Sequence, residues 1–375
     1  MPLPDLEGDR AAELHDAVSR VLRRPVTRVR GVRREELDYD AFLAGRSVSR
    51  IRGTAVVDGA EASWSFIEKV TEAPRVASAY LYDNGAREFA AYRSGLLEDL
   101  APGLVAPAAL RTHRSAGGTL TVWIEDLTGG DRRPLTGAEL LTAARHLGRM
   151  AGRWRGRVPD DPWLFRGWVE RHSQPEAVAS GLAMLDGEAA RTEVESRLGR
   201  SLEDARLLIT DQPAIAAAMA SLPQTLCHHD AVAANVFARV RDGLPETVLI
   251  DWESIGPGPA GADLASLLFS SARRGDFGAE IVPALLPAAL EAYADGIAEM
   301  GNRIDPSELR LGVFAAIALR WTLVRDVVRV LLGASTARRG SAPAESPAQA
   351  LDELIALTAV LFEAATHTRA LLRRT

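Results

Sequence analysis

The sequence predicts an α+β protein with a β-rich first part, residues 1–128, and a mostly helical second part, residues 129–375. Short runs that alternate apolar and polar residues, typical of strands, dominate the first part. From Thr136 onward, apolar residues recur at helical spacing after a hydroxyl residue suited to cap a helix. The stretch 226–252 then carries an unusual set of polar residues between apolar runs.

Composition limits the class of protein. The 375 residues are 47% hydrophobic and 25% charged, as in a globular protein with a sizeable core. The formal charge is −6 and no basic stripe is present, so we expect no nucleic-acid partner. We expect no apolar run of membrane-spanning length, since Arg320 interrupts the run 314–324. The acidic N-terminus lacks a signal-peptide core, so we expect no membrane association. The single cysteine, Cys227, excludes internal disulfides and favours a cytoplasmic location.

The first part begins with an amphipathic helix over residues 9–22, followed by a strand from Val26. The segment 45–53 contains glycines and small hydroxyl residues, and we interpret it as a loop leading into a second strand. In such a loop, Ser47 and Ser49 would allow backbone amides to approach nucleotide phosphates. An ordinary hairpin is the alternative, since no strict glycine-rich motif is present.

The third strand, residues 64–70, carries Lys69 near its end. Lys69 is the only lysine among 44 lysines and arginines. A single retained lysine indicates a place where a compact ammonium is needed, such as a phosphate-binding position. Glu88 lies in the next predicted helix, residues 87–97, where it would pair with Lys69; a surface glutamate is the alternative.

An apolar strand over residues 120–127 closes the first part. Backbone groups near Glu125 and Leu127 are expected to face an adenine edge. In the second part, Thr136 caps a helix that runs to Arg155. Another helix is expected to begin at Trp163, with its aromatic residues in the core; a substrate pocket lined by them is the alternative.

Asp230, Asn235 and Asp251 are the candidate catalytic set. Asp230 and Asn235 have the D-x-x-x-x-N spacing of a phosphoryl-transfer loop, and Asp251 ends an apolar run. Strands over 236–240 and 247–250, joined by a turn at Asp242-Gly243, would bring Asn235 and Asp251 together as a hairpin. Asp230 would accept the proton of a hydroxyl, and Asn235 and Asp251 would be Mg²⁺ ligands.

The region beyond Asp251 is interpreted as a rigid glycine- and proline-rich loop, residues 256–261, that leads into a helix over 262–271. Asp263, in the first turn of that helix, is expected to support the catalytic loop. Long helices are expected over residues 281–300, 307–332 and 348–372.

Other chemistries fit less well. The run Cys227-His-His-Asp suggests zinc, but no second ligand pair with zinc-like spacing follows. A serine hydrolase would need a G-x-S-x-G elbow, which is absent from the sequence. The non-functional alternatives are that the stretch 226–252 is a surface hairpin with incidental acids and that Cys227 is buried and unreactive.

With these residues identified, the chain resembles the aminoglycoside phosphotransferase and choline kinase-like enzymes, relatives of protein kinases. The resemblance rests on Lys69 with Glu88, the segment 124–127, the run from His228 through Asn235, and the run 250–263. It implies a two-lobed protein-kinase-like fold with the nucleotide between the lobes, and the site roles given above. His228 would be structural, whereas His229 stands where the family usually has glycine.

The resemblance implies a phosphotransferase that uses ATP and Mg²⁺ to phosphorylate a hydroxyl of a small molecule. A short loop after Asp251, in place of a long activation segment, favours a small acceptor over a protein. The alternatives are a kinase for Ser or Thr of a peptide and a non-catalytic nucleotide-binding scaffold. The sequence leaves the acceptor, the choice of ATP or GTP, and the oligomeric state open.

Overall fold

The structure, a computed structural model, describes residues 9–37, 45–72, 85–127, 134–340, 342 and 345–373. The chain divides into two compact units. The first comprises Met1–Asp99 and Ala106–Arg133, and the second comprises Leu100–Val105 and Pro134–Thr375. The first is rich in strands and the second in helices, so the predicted α+β class is confirmed.

The strands are β1 (Arg28–Glu36), β2 (Arg46–Val57), β3 (Ala60–Thr71), β4 (Leu104–Val105), β5 (Ala109–Arg114), β6 (Leu120–Glu125), β7 (Gln224–Cys227), β8 (Val236–Arg241), β9 (Leu244–Leu249) and β10 (Gly256–Pro259). The helices are α1 (Asp9–Leu22), α2 (Gly85–Ser94), α3 (Gly137–Trp154), α4 (Trp168–His172), α5 (Pro175–Met184), α6 (Glu188–Arg197), α7 (Leu202–Thr210), α8 (Gln212–Ser221), α9 (Ala262–Ala265), α10 (Ser271–Arg274), α11 (Ile281–Glu299), α12 (Pro306–Ala318), α13 (Thr322–Leu331) and α14 (Pro347–Leu372).

The first unit is a five-stranded antiparallel sheet in the order β1-β2-β3-β6-β5. Phe66 lies at the centre of its core, with its ring 5.8 Å from that of Trp64 and 4.9 Å from that of Trp123. Helix α1 covers this cluster with Leu14 and Val18, the apolar positions that predicted the helix. The sheet therefore presents a rigid β3 on which Lys69 is held.

The predicted loop over residues 45–53 is wrong, because β2 begins at Arg46 and continues to Val57. Ser47 pairs with Val70 of β3, and Ser49 pairs with Glu68 of the same strand. Alternation of apolar with polar residues is a strand signal even where the polar residues are serines. The connection between β1 and β2 includes residues 38–44, which lie outside the described residues.

The segment Leu100–Val105 belongs to the second unit, which the predicted boundary at 128/129 does not anticipate. Its strand β4 pairs in parallel with β9, and Thr247 N donates to Gly103 O at 2.8 Å. Trp154 Nε1 of α3 donates to Leu100 O at 3.0 Å. A strand of two residues has no periodicity, so sequence reasoning could not find it.

The long helices α3 and α11 pack closely in the second unit. A side chain at Gly148 of α3 would meet Tyr293 O, and one at Gly296 of α11 would meet Arg145 O, both at 2.1 Å. Thr136 caps α3 as predicted, in a reciprocal capping box with Glu139.

Helix α11 corrects one expectation about membranes. Its 19 residues, with a mean hydropathy of 1.3, are long and apolar enough to cross a membrane by length and composition. The expectation that no apolar run reaches that length is therefore wrong. A core helix of a soluble protein passes the same test, and α11 packs along α3.

The predicted hairpin is confirmed as β8 and β9. Asp242 and Gly243 both have positive φ, of 53° and 80°, as a two-residue turn of type I′ requires. The pairing runs from Arg241 with Leu244 to Val236 with Leu249. The hairpin thereby places the residues just before β8 and just after β9 side by side.

The glycine- and proline-rich segment after Asp251 is a strand rather than only a loop. Strand β10 pairs antiparallel with β7, Gly256 opposite Cys227 and Pro259 opposite Gln224. Prolines are tolerated here because the sheet has only two strands and both are edges. The predicted helix over 262–271 is confirmed, with a π-helical turn at Ser266–Ser270 between α9 and α10.

Two helix boundaries differ from the prediction. The expected helix over 307–332 is broken into α12 and α13, where Arg320 N donates to Ile317 O in a tight turn and Gln212 Nε2 donates to Ala318 O. The helix expected at Trp163 begins instead at Trp168, because Phe165 N donates to Ile255 O and ties this segment to the start of β10. Phe165 and Trp168 are buried, as expected of core aromatics.

Candidate active site

Lys69 and Glu88 form an ion pair in the first unit. Lys69 Nζ lies 2.7 Å from Glu88 Oε1, and their side chains are only 11% and 3% exposed. Glu88 is in the first turn of α2, where a carboxylate also interacts favourably with the helix dipole. The pair that the sequence suggested is therefore present, and it fixes the direction of the ammonium group.

Arg46 is a second cation on Glu88 that sequence reasoning missed. Its Nη2 lies 3.4 Å from Glu88 Oε2. Arg46 is paired with Thr71 across β2 and β3, and Val48 is paired with Lys69. The register of the two strands therefore sets the positions of both cations. From the sequence, residues 45–53 are interpreted as a loop, so no strand pairing was predicted there and Arg46 could not be placed near Glu88.

The other predicted nucleotide-binding residues of this unit are placed as follows. Ser47 is half-buried in β2, and Ser49 is fully buried, with its Oγ accepting from Arg34 Nε at 3.0 Å. Glu125 N donates to Ala108 O at 2.9 Å, and Leu127 lies beyond the end of β6. The Ser49 hydroxyl and the Glu125 amide are thus engaged within the sheet, and the nucleotide-binding roles of all four stay predictions.

Asp230 and Asn235 form one hydrogen-bonded group in the second unit. Asn235 Nδ2 donates to the Asp230 carboxylate at 3.0 Å and to Asp230 O at 2.9 Å. Asn235 is buried and Asp230 is half-buried. The amide therefore fixes both the backbone and the side chain of the candidate base.

His228 and Asp263 hold the candidate catalytic loop, residues 228–235, through hydrogen bonds. His228 Nε2 donates to Ile250 O at 2.9 Å, and its Nδ1 accepts from Asp230 N at 3.2 Å, so the ring is the neutral Nε2–H tautomer. The Asp263 carboxylate accepts from the backbone amides of His228 and His229, at 2.8 and 2.7 Å. These contacts are the structural roles that the sequence suggested for His228 and Asp263.

Asp251 follows β9 with φ 67° and ψ 58°, in the left-handed region that few non-glycine residues adopt. Ile250 N donates to Asn235 O at 3.0 Å, which joins the end of the hairpin to the catalytic loop. Trp252, fully buried, anchors the chain after Asp251 through a hydrogen bond to Leu249 O. Backbone strain of this kind concentrates at functional sites, because the surroundings must hold it.

The donor set fits a hard divalent cation. Because Asn235 Nδ2 is directed to Asp230, the Oδ1 atom is the one left for a ligand. Asp251 adds carboxylate oxygens, and Mg²⁺ prefers such oxygen ligands with the remainder of its shell from water and phosphate. Asn235 and Asp251 thus carry donor atoms of the type that a divalent metal prefers, and their role as metal ligands stays a prediction.

The pKa of Asp230 is raised from 3.8 to about 7. Burial is the largest cause, and the nearby Asp251 carboxylate adds to it. Arg274, the hydrogen bond from Asn235, and Arg320 act in the opposite direction. A carboxylate with a pKa near neutrality is suited to accept a proton at physiological pH.

This pKa predicts the pH dependence of the reaction. We expect kcat/KM for the acceptor to fall as the pH is lowered from 9 toward 5, because only the ionised Asp230 accepts a proton and burial raises its pKa toward neutrality. The measurement is kcat/KM for the acceptor between pH 5 and pH 9 at saturating nucleotide. A flat profile down to pH 5 would contradict the assignment.

His229 explains how a side chain can replace the family's usual glycine. Its φ of 64° is the conformation that favours glycine. The ring stacks on Trp168 at 5.0 Å between centroids, and His229 Nε2 is 3.0 Å from Pro257 O. Gly258 leaves room for it, since a Cβ there would lie 2.5 Å from the His229 ring. Packing of the ring therefore compensates for the strained backbone.

Two substitutions separate ring packing from backbone strain at His229. Both His229→Gly and His229→Ala lose the ring contacts, but only glycine relieves the left-handed conformation, which costs about 1–2 kcal/mol. We expect the free energy of unfolding to rank wild type first, the glycine variant second and the alanine variant third. Chemical denaturation measures this order, and an alanine variant as stable as the glycine variant would contradict it.

Cys227 is buried as predicted, and burial raises the pKa of its thiol well above its usual value. The possible ligand atoms of Cys227, His229 and Asp263 lie within 4.8 Å of one another. The sequence argument against zinc did not foresee this cluster. Cys227 and His229 come together because residues two apart share a face of an extended chain. In the structure, however, these ligand atoms have other partners: the Asp263 oxygens accept hydrogen bonds from backbone amides, and His229 Nε2 contacts Pro257 O.

Each unit holds part of the residue set predicted from the sequence. The first unit has a strand lysine paired with a helix glutamate, and the second has an aspartate and an asparagine before a hairpin and another aspartate after it. Phosphoryl-transfer enzymes use residues of these types. The sequence model of the phosphotransferase enzyme family matches residues 10–302. The protein therefore belongs to this family of phosphotransferases. Among curated proteins, no sequence matches.

Solved structures with similar folds share little sequence with the chain. A microcompartment-associated aminopropanol kinase is 16% identical with a TM-score of 0.48, over 91% of this chain and 93% of that one. An amicoumacin kinase bound to AMP-PNP and Ca²⁺ is 14% identical with a TM-score of 0.47, over 93% of each chain. An ethanolamine kinase from Plasmodium vivax is 11% identical with a TM-score of 0.45, over 89% and 83%.

Proposed function

We propose that the protein is an ATP-dependent, Mg²⁺-requiring phosphotransferase that phosphorylates a hydroxyl of a small molecule. The observation that carries this proposal is the Asp230–Asn235 group, held by hydrogen bonds of 2.9 and 3.0 Å beside Asp251. Such a group combines a base for a hydroxyl proton with oxygen ligands for a metal. Membership of the phosphotransferase family supports the same reaction class.

In this proposal each residue has one task. Asp230 accepts the proton of the acceptor hydroxyl, and Asn235 keeps its carboxylate in place. The acceptor oxygen forms a bond to the γ-phosphorus, the bond from that phosphorus to the β–γ bridging oxygen breaks, and ADP leaves. Lys69, directed by Glu88, binds phosphate oxygens of the nucleotide. Asn235 and Asp251 would hold Mg²⁺, which would supply positive charge against the phosphates.

The short connection after Asp251 supports a small acceptor. Residues 251–262, all described, hold only a turn at Trp252–Ser254 and strand β10 before α9 begins at Ala262. A kinase that docks protein substrates uses a long activation segment at this place. A peptide acceptor is therefore the less favoured alternative.

Nucleotide binding and turnover test the proposal together. We expect ATP with Mg²⁺ to raise the melting temperature, because ligand binding to the native state stabilises it, and at least one hydroxyl acceptor in a broad panel to promote ADP release. GTP in a parallel series identifies the preferred nucleotide. Stabilisation by nucleotide without ADP release from any acceptor, peptides included, would favour a scaffold and contradict a phosphotransferase.

A further inference from the structure

Helix α10 is attached directly to the catalytic loop. Ser271 Oγ accepts from Ala233 N at 2.7 Å, and Asp276, just beyond the helix, accepts from Ala234 N at 3.2 Å. These two amides lie three and four residues after Asp230. The last residue of α10, Arg274, is therefore held close to the candidate base by the fold itself.

The two arginines at the end of α10 differ in their surroundings. Arg273 is paired with Asp326, at 2.7 Å, and contacts Thr322. Arg274 is exposed and has neither an ion pair nor a hydrogen bond from its side chain to any residue that the structure describes. A guanidinium whose five donors face solvent at the edge of a reaction site is suited to bind an oxyanion.

The hydrogen bonds of Ser271 and Asp276 to the catalytic loop bring the positive charge of Arg274 close to that loop. Its attraction also acts on the Asp230 carboxylate, alongside the repulsion from Asp251 and the attraction of Arg320. The other nearby acids, Asp263 and Asp276, direct oxygens at backbone amides of the catalytic loop. An ammonium group on the acceptor would approach Arg274 against like charge.

We propose that Arg274 binds a negatively charged group of the acceptor, a carboxylate or a phosphate, so that the natural substrate is an anionic hydroxy compound rather than an amino alcohol or aminoglycoside. This inference rests on the proposed phosphotransferase function. The γ-phosphate of the nucleotide offers the same oxyanion chemistry, and the two sources are distinguished by which Michaelis constant depends on Arg274.

The experiment compares acceptors that share a scaffold and differ in one charged group, such as lactate, lactamide and 1-amino-2-propanol, with longer hydroxy acids and their amides and amines. ADP release is measured for the wild type, Arg274→Ala, Arg274→Glu and the control Arg310→Ala. Arg310 is an exposed arginine of α12 whose side chain has no ion pair among the described residues, so its removal matches the change in net charge.

We expect the wild type and the Arg310 control to prefer the carboxylate member of each set, and Arg274→Ala to lose about 10- to 100-fold in kcat/KM for that member alone. Arg274→Glu should reverse the preference toward the amine.

Three results would overturn the inference while leaving the proposed function standing. The first is a wild type that prefers cationic acceptors. The second is a preference that Arg274→Glu does not change, and the third is a rise in the KM for ATP with the KM for the acceptor unchanged. Absence of nucleotide stabilisation and of ADP release from every acceptor would instead overturn the proposed function.

Discussion

Replacing Asp230 by asparagine is expected to lower kcat by about 10²–10⁴-fold, the usual contribution of a positioned general base. Nucleotide affinity should change little, because Asp230 faces the acceptor in the proposed reaction. Asparagine is nearly isosteric and retains an oxygen that can accept from Asn235 Nδ2, so the loop should keep its conformation. Steady-state kinetics with the best acceptor, together with a nucleotide titration, measure both quantities.

Stability provides an internal check on this variant. Folding raises the pKa of Asp230 from 3.8 to about 7, so the folded state disfavours its ionised form. The stabilising effect of the protonated group is complete below pH 3.8 and is lost as the pH rises to about 7. An uncharged asparagine avoids this loss, and the variant should melt no lower than the wild type at pH 8. A loss of activity is then not a loss of fold.

Asp242→Asn is the matched control for Asp230→Asn. Asp242 is exposed in the turn between β8 and β9 with φ 53°, a conformation that asparagine also tolerates. The chemical change is identical and lies in the hairpin that follows the loop of Asp230, yet kcat should stay within a factor of two of the wild type. Full turnover by Asp230→Asn, or equal losses in the two variants, would contradict the role of Asp230.

Replacing Lys69 by alanine is expected to lower kcat by about 10²–10³-fold, as when a single preorganised donor to a reacting anion is removed. It should also raise the KM for ATP. The loss would leave Glu88 with Arg46 as its partner at 3.4 Å, which limits the damage to folding. Lys69→Arg keeps the charge but replaces a compact ammonium by a planar fork, so we expect it to recover only part of the activity.

The unique lysine allows a second measurement. An amine-acylating reagent can modify only Lys69 and the amino terminus, since no other lysine exists in the chain. We expect ATP with Mg²⁺ to slow acylation of Lys69 and to leave the amino terminus as reactive as before. Equal rates with and without nucleotide would contradict phosphate binding by Lys69, whereas the Lys69→Arg variant should show no modification at this position.

How far the sequence predicted the structure depends on whether the signal was local. The Asp242-Gly243 turn and its flanking apolar runs were sufficient to predict the hairpin, and with it the contact of Asn235 with Ile250, the residue before Asp251. The pairing of Lys69 with Glu88 was suggested by a single retained lysine on a strand before a helix. In each case the residue types themselves restrict the conformation or the chemistry.

The features that were missed depend on tertiary contacts. The strand conformation of Ser47 and Ser49 is fixed by pairing with β3, and that of Gly256 by pairing with β7. The break after α12 depends on Gln212, which is distant in sequence, for a hydrogen bond to the last carbonyl of that helix. Arg274 carried no signal at all, because its position follows from the two hydrogen bonds that join the region of α10 to the catalytic loop.

The central claim is that Asp230 directs transfer of a phosphoryl group to a hydroxyl. Its most direct test uses ATP labelled in the γ-phosphoryl group, with Mg²⁺ and the acceptor that best promotes ADP release. We predict that the wild type and Asp242→Asn transfer the label to the acceptor oxygen in equal amount with ADP formed, and that Asp230→Asn transfers about 10²–10⁴-fold more slowly. Label found only in inorganic phosphate, or transferred at the wild-type rate by Asp230→Asn, would contradict the account.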